Sequence, residues 1–190
     1  MISCSVIVSP LTVVAAILTA AALHELGHLA AMRYYGVSVK HFRLTALGAE
    51  LDAPALARLS YGRELIITLA GVTVNLFCAI LLALLGLRTW REWCFVFAGA
   101  HLVLAAFNLL PVVPLDGARA LCLALSFFLG PATGERITAA VSLACSLALC
   151  ALGLKLSLGL HSGWLFAFAA FGLLWGTLRQ LGLARGAKSV

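Results

Sequence analysis

The run from Leu65 to Leu87 contains no charged side chain. It is long enough to cross the hydrocarbon core of a bilayer, which takes about 20 residues of helix. Few folds accept such a run. In lipid every backbone N–H and C=O must be bonded within the segment, so a helix is the expected form. Four further apolar stretches follow the same pattern: Leu11 to Met32, Trp93 to Leu110, Ile137 to Leu154 and Gly163 to Leu178. The third breaks at Pro111 and Pro114, and a helix is expected to resume near Asp116 and reach Leu129. Composition agrees. The chain is 63% hydrophobic and 11% charged, against roughly half and a quarter in soluble domains. The expected fold is an all-α polytopic membrane protein with about five transmembrane helices.

One domain is expected over residues 1–182, with its core at 11–129 and a short basic cytoplasmic tail at 183–190. The N-terminal apolar stretch has no basic n-region or small-residue cleavage site, so it reads as retained structure. The six cysteines, mostly within apolar runs and without a CxxC pair, read as buried helix residues and not as a disulfide framework. Between the first two spans, Val37 to Asp52 mixes β-branched and apolar residues with Lys40, His41, Arg43 and Thr45. A short membrane-associated β-hairpin is expected there, with Gly48 at a turn.

The net charge of +6 does not point to nucleic acid, because the positive residues fall in the loops between spans. Five spans place Arg33, Lys40, Arg43, Arg58, Arg63, Arg119, Arg136, Arg179, Arg185 and Lys188 on one side. Only Arg88, Arg91 and Lys155 fall on the other. This bias expects an integral membrane protein with its N-terminus outside and its C-terminus cytoplasmic.

The first span carries His24-Glu25-Leu26-Gly27-His28, an H-E-x-x-H pattern. Residues four apart share a helix face, so His24 and His28 offer two imidazoles to one metal ion. Glu25 is placed to take a proton from a water on that metal. Ionisable side chains within a membrane segment are costly and mark function by default. Glu25 and Asp116 are the two acidic residues so placed. A catalytic zinc needs a third protein ligand, and Asp116 is the best candidate. His28 lies about 7.5 Å of helix from the cytoplasmic end, and Asp116 follows a span ending on the same side. His41 reads as a residue of the hairpin, His101 as a satisfied polar residue of the bundle, and His161 as lying on the opposite side.

His24-Glu25-Leu26-Gly27-His28, followed by Asn108-x-x-Pro111-x-x-Pro114-Leu115-Asp116-Gly117, resembles the site-2 protease family of intramembrane metalloproteases. Within that family the wording most resembles the sporulation branch, that of stage IV sporulation protein FB. The resemblance spans about Leu11 to Leu129. It implies that His24, His28 and Asp116 bind one zinc ion and that Glu25 is the general base. It also implies that the substrates are membrane-spanning or membrane-associated proteins cut in or near the bilayer. A sporulation sigma-factor precursor is one such substrate; an anti-sigma factor or a signal-peptide remnant are the alternatives. A membrane-protein regulator or inhibitor is a further expected partner.

The sequence departs from the family pattern at Gly71-Val72-Thr73-Val74-Asn75, which keeps the glycine and asparagine but lacks the usual proline. The extra helix and nucleotide-sensing domain of the sporulation branch are not recognised in these residues, so regulation is expected to differ. Asn108 and Asn75 are candidates to hold substrate backbone or a developing oxyanion, against a plain role in bridging helices. Metal transport is a competing reading, but transporters favour paired broken helices and repeats, and here one break stands alone. A transmembrane substrate must unwind before it is cut, and the exposed edge of the Val39 to Leu51 hairpin is where an extended strand is expected to add.

Overall fold

The computed structural model describes residues 9–37, 41–45, 48–52, 59–160 and 164–187. The expectations for His161, Lys40, Arg58 and Lys188 lie outside these residues. Six helices and two strands follow in order: α1 (Pro10–Tyr34), β1 (His41–Thr45), β2 (Gly48–Asp52), α2 (Tyr61–Thr89), α3 (Glu92–Asn108), α4 (Asp116–Leu129), α5 (Pro131–Leu160) and α6 (Trp164–Ala187). Among the described residues, three helices, α1, α2 and α5, are long and apolar enough to cross a membrane; α3 is a shorter apolar helix. At 17 residues, α3 is about 25 Å long, short of the roughly 30 Å hydrocarbon core. The expected third span is therefore two separate helices, α3 and α4, divided at the prolines. The fifth expected span is part of α6, whose second half carries Arg179, Gln180 and Arg185. The tail expected from residue 183 is helical as far as Ala187, since Leu183, Ala184 and Arg185 all favour helix.

The chain forms two compact units. The first comprises the residues up to Gly36 and Leu69–Asn108, which is α1, most of α2, and α3. Ser9 caps α1, its Oγ accepting from the Thr12 amide at 3.2 Å, and Pro10 occupies the first turn, where its missing N–H costs nothing. Gly36 ends the helix with φ 68°, a conformation open to glycine. The buried side of α1 runs Ala16, Ala20, His24, Gly27, His28 and Met32, mostly at helical spacing. Leu11, Val14, Ile17 and Leu18 are exposed, as residues facing lipid would be. On α3 the buried stripe is Cys94, Ala98, His101 and Ala105. Small residues let the backbones approach closely, as membrane helices require. A β-carbon on Gly27 would lie 2.9 Å from the Ala70 carbonyl oxygen, so the α1–α2 crossing admits no side chain there.

The second unit comprises Val37–Thr68 and the residues from Leu109 onward. Strands β1 and β2 pair antiparallel, with His41 opposite Asp52 and Thr45 opposite Gly48. Gly48, expected in a turn, is thus the first residue of β2. Helices α4 and α5 fold back on each other at Gly130, which has φ 85°. A β-carbon on Gly134 would run into Ser126, so this pair packs backbone against backbone. Val112, Leu115 and Leu173 form a buried cluster, with Leu110, Cys145 and Leu149 against it. The segment between α3 and α4 is therefore anchored on α5 and α6.

Candidate metal centre

In the first unit, the sequence brings its polar residues to one buried place. The H-E-x-x-H spacing puts the two imidazoles on adjacent turns of α1. The rings meet edge to face, with centroids 4.7 Å apart at 84°. The two Nε2 atoms are 3.2 Å apart. Two nitrogens held by one tetrahedral zinc at 2.0–2.1 Å stand about 3.3 Å apart, so the pair fits a single ion. Without the ion, the same distance is a hydrogen bond between one protonated and one bare nitrogen. Glu25 is half-buried on the same turn.

Helix α2 passes directly behind the pair at Gly71. A β-carbon there would lie 2.5 Å from Nε2 of His28 and 2.8 Å from Nδ1 of His24. One turn further along α2, Asn75 faces His24: Nδ2 is 3.3 Å from Nδ1. The other side of the same amide faces α3, with Oδ1 2.9 Å from Nδ1 of His101. His101 is thus a satisfied polar residue, and its partner is a residue that touches the histidine pair. Its position behind Asn75 was not legible from spacing, because it depends on how three helices pack.

Asn108 is the last residue of α3, and its Nδ2 donates to the Leu104 carbonyl one turn back at 3.1 Å. Such a bond is a local one, from a side chain back to the carbonyl four residues earlier.

In the second unit, Asp116 is the first residue of α4 and is half-buried. A carboxylate in the first turn interacts favourably with the helix dipole. Three hydroxyls of α5 and α6 secure the strand of chain that leads to it. The Val113 amide donates to Ser142 Oγ at 2.7 Å. Thr177 Oγ1 donates toward the Val113 carbonyl at 3.0 Å and toward the Leu173 carbonyl of its own helix at 2.9 Å. Ser146 Oγ is 3.2 Å from Thr177 Oγ1. Both backbone groups of Val113 are therefore bonded, as buried backbone must be. Gly117 leaves room for the loop to fold back, since a β-carbon there would collide with the backbone of Leu109 and Leu110. Sequence reasoning did not single out Ser142, Ser146 or Thr177. Ser142 and Ser146, four apart within the apolar middle of α5, were the available signal.

This architecture has a solved counterpart. The chain is similar to the site-2 protease from Methanocaldococcus jannaschii, with a TM-score of 0.69 and 23% sequence identity over 88% of this chain and 76% of that one. The likeness is one of fold. No protein-family model matches the chain, and no curated protein sequence matches it. The fold, mainly helical with one two-stranded sheet and with helices long and apolar enough to cross a membrane, is thus similar to that of a site-2 protease.

Proposed function

We propose that the chain is an intramembrane zinc metalloendopeptidase. The observation that carries this reading is the His24–His28 pair, spaced for one tetrahedral ion in an apolar helix of a site-2 protease fold. The proposed ligands are His24 and His28 of the first unit and, as the resemblance of the second motif implies, Asp116. Two imidazoles and a carboxylate suit zinc and leave a fourth position open for catalysis. When bound, zinc supplies Lewis-acid chemistry: it acidifies a water and polarises the scissile carbonyl. Glu25 takes the proton from the attacking water and delivers it to the departing amine. Asn108 is proposed to steady substrate backbone or the developing oxyanion.

The likeness is to the site-2 protease fold as a whole and carries no mark of the sporulation branch. The substrate class proposed is accordingly a membrane-spanning or membrane-associated protein. The distribution of Lys and Arg supports a cytoplasmic C-terminus, and a reporter fused after Lys188 is expected on that side. Substitution Glu25→Gln in the purified, lipid-reconstituted protein tests the mechanism. Zinc content is expected to stay at the wild-type level. Cleavage of a membrane substrate is expected to fall by about 10²–10⁴-fold, the usual contribution of a general base. Undiminished cleavage would overturn the reading.

A further inference from the structure

Three polar side chains from three helices are buried in a row: His24 on α1 at 5% exposure, Asn75 on α2 at 0% and His101 on α3 at 1%. Burying them in an apolar bundle is costly unless each is bonded. Only His24 belongs to the proposed ligand set, so the other two need a reason to be there.

The proton positions supply one. Asn75 Nδ2 carries hydrogens and faces Nδ1 of His24, so that nitrogen is the acceptor. The neutral His24 ring then holds its proton on Nε2, where it points at Nε2 of His28. On the other side, His101 Nδ1 donates to Asn75 Oδ1. This tautomer of His24 cannot ligate through Nε2. Ligation there requires the proton on Nδ1 and an acceptor for it. A half-turn of the Asn75 amide presents Oδ1 to His24 and Nδ2 to His101. His101 must then accept at Nδ1 and carry its own proton on Nε2. Each imidazole then loses a proton at one ring nitrogen and gains one at the other, with water as the proton carrier, so the exchange is neutral overall and the ring atoms stay in place.

Resting on the zinc reading above, we propose that Asn75 and His101 are positioning residues. They form a tautomer relay that lets His24 exchange a metal-free for a ligating form. His101 touches neither metal nor substrate, yet it sets the orientation of the amide that orients the ligand. Partners of this kind typically change metal affinity by 10–100-fold.

The test uses the full chain in lipid nanodiscs, with zinc affinity read by competition against a chromophoric chelator. Asn75→Leu is expected to weaken zinc binding about 10–100-fold, and His101→Leu by less. The double variant is expected to be no weaker than Asn75→Leu, because His101 acts only through that amide. Asn75→Asp keeps an acceptor for His24 whichever way it turns. In that background, His101→Leu is expected to leave zinc affinity unchanged. Histidine ¹⁵N shifts of the wild type read the tautomers directly, and His101 is expected to move its proton from Nδ1 to Nε2 on addition of zinc. Independent, additive losses, or a His101 tautomer indifferent to zinc, would overturn the relay. Leu variants that melt earlier but bind zinc as the wild type does would overturn it too. A wild type that binds no zinc removes the metal reading itself, which separates the two failures.

Discussion

The α-carbon of Gly71 stands where any side chain would collide with His28: a β-carbon on it would lie 2.5 Å from Nε2. The obstructed atom is the proposed ligand nitrogen, and His24 Nδ1 is only slightly further away at 2.8 Å. Gly71→Ala therefore moves the helix or turns the rings. Overpacking of this kind costs about 1–3 kcal/mol. The expected outcome is a folded protein whose zinc occupancy drops at least tenfold with its proteolysis. Gly62 is the control, because a β-carbon there meets nothing within 4 Å; Gly62→Ala is expected to bind zinc and cleave as the wild type does.

Removal of the metal is expected to abolish cleavage reversibly. A chelator strips the ion, and added zinc restores activity to the wild type. His24→Ala and His28→Ala each remove one imidazole of the pair, so neither is expected to recover when zinc is added back. Circular dichroism is expected to show helix content unchanged in both, since Ala is the strongest helix former. Chelator-resistant proteolysis would show that the histidine pair does another job.

Val113 is held at both ends of its peptide group, by Ser142 at the amide and Thr177 at the carbonyl. Removing one partner of a buried backbone group costs about 1–3 kcal/mol. Ser142→Ala and Thr177→Val are each expected to lower thermal stability by that amount. Their effects are expected to fall short of additivity, because they share one anchored residue. The Arg119–Glu64 ion pair provides the contrast. Its nitrogen–oxygen distance is 2.8 Å, but Arg119 is half-exposed, so Arg119→Ala is expected to cost under about 1 kcal/mol. Thermal denaturation in detergent measures all three.

How much of this was legible in the sequence depends on whether a residue acts through its neighbours in the chain or across the fold. The His24–His28 pair was legible, because the helical repeat alone sets two residues four apart on one face. The break between α3 and α4 was legible too, because Pro111 and Pro114 forbid a continuous helix whatever surrounds them. The helix lengths were less so: hydropathy registered Trp93 to Leu110 as one span, whereas α3 runs from Glu92 to Asn108. Partners across helices were hidden as well. Asn75 gave a choice between substrate contact and helix bridging, and its bonds to His24 and His101 depend on α2 passing close to both α1 and α3. The approach to α1 follows from Gly27 and Gly71, and that to α3 from Gly86, against which Cys94 and Phe95 pack; their meaning appears only once the helices are packed.

The antiparallel pairing of β1 with β2 leaves each strand with one edge that no other described strand covers. Such an edge offers backbone N–H and C=O groups to an extended chain. A substrate helix that has been unwound needs partners for the same groups, so strand addition compensates part of the cost of unwinding. Proline removes the donor at one position and leaves the rest of the strand in place. Along a strand, alternate residues point their backbone groups toward the partner strand and away from it. Proline placed in turn at Phe42, Arg43 and Leu44 is therefore expected to divide into two classes. One class weakens the β1–β2 pairing. The other leaves that pairing intact, lowers cleavage of a transmembrane substrate several-fold, and spares both zinc affinity and the hydrolysis of a short unstructured peptide. Equal cleavage of the two substrates by every proline variant would show that the edge takes no part.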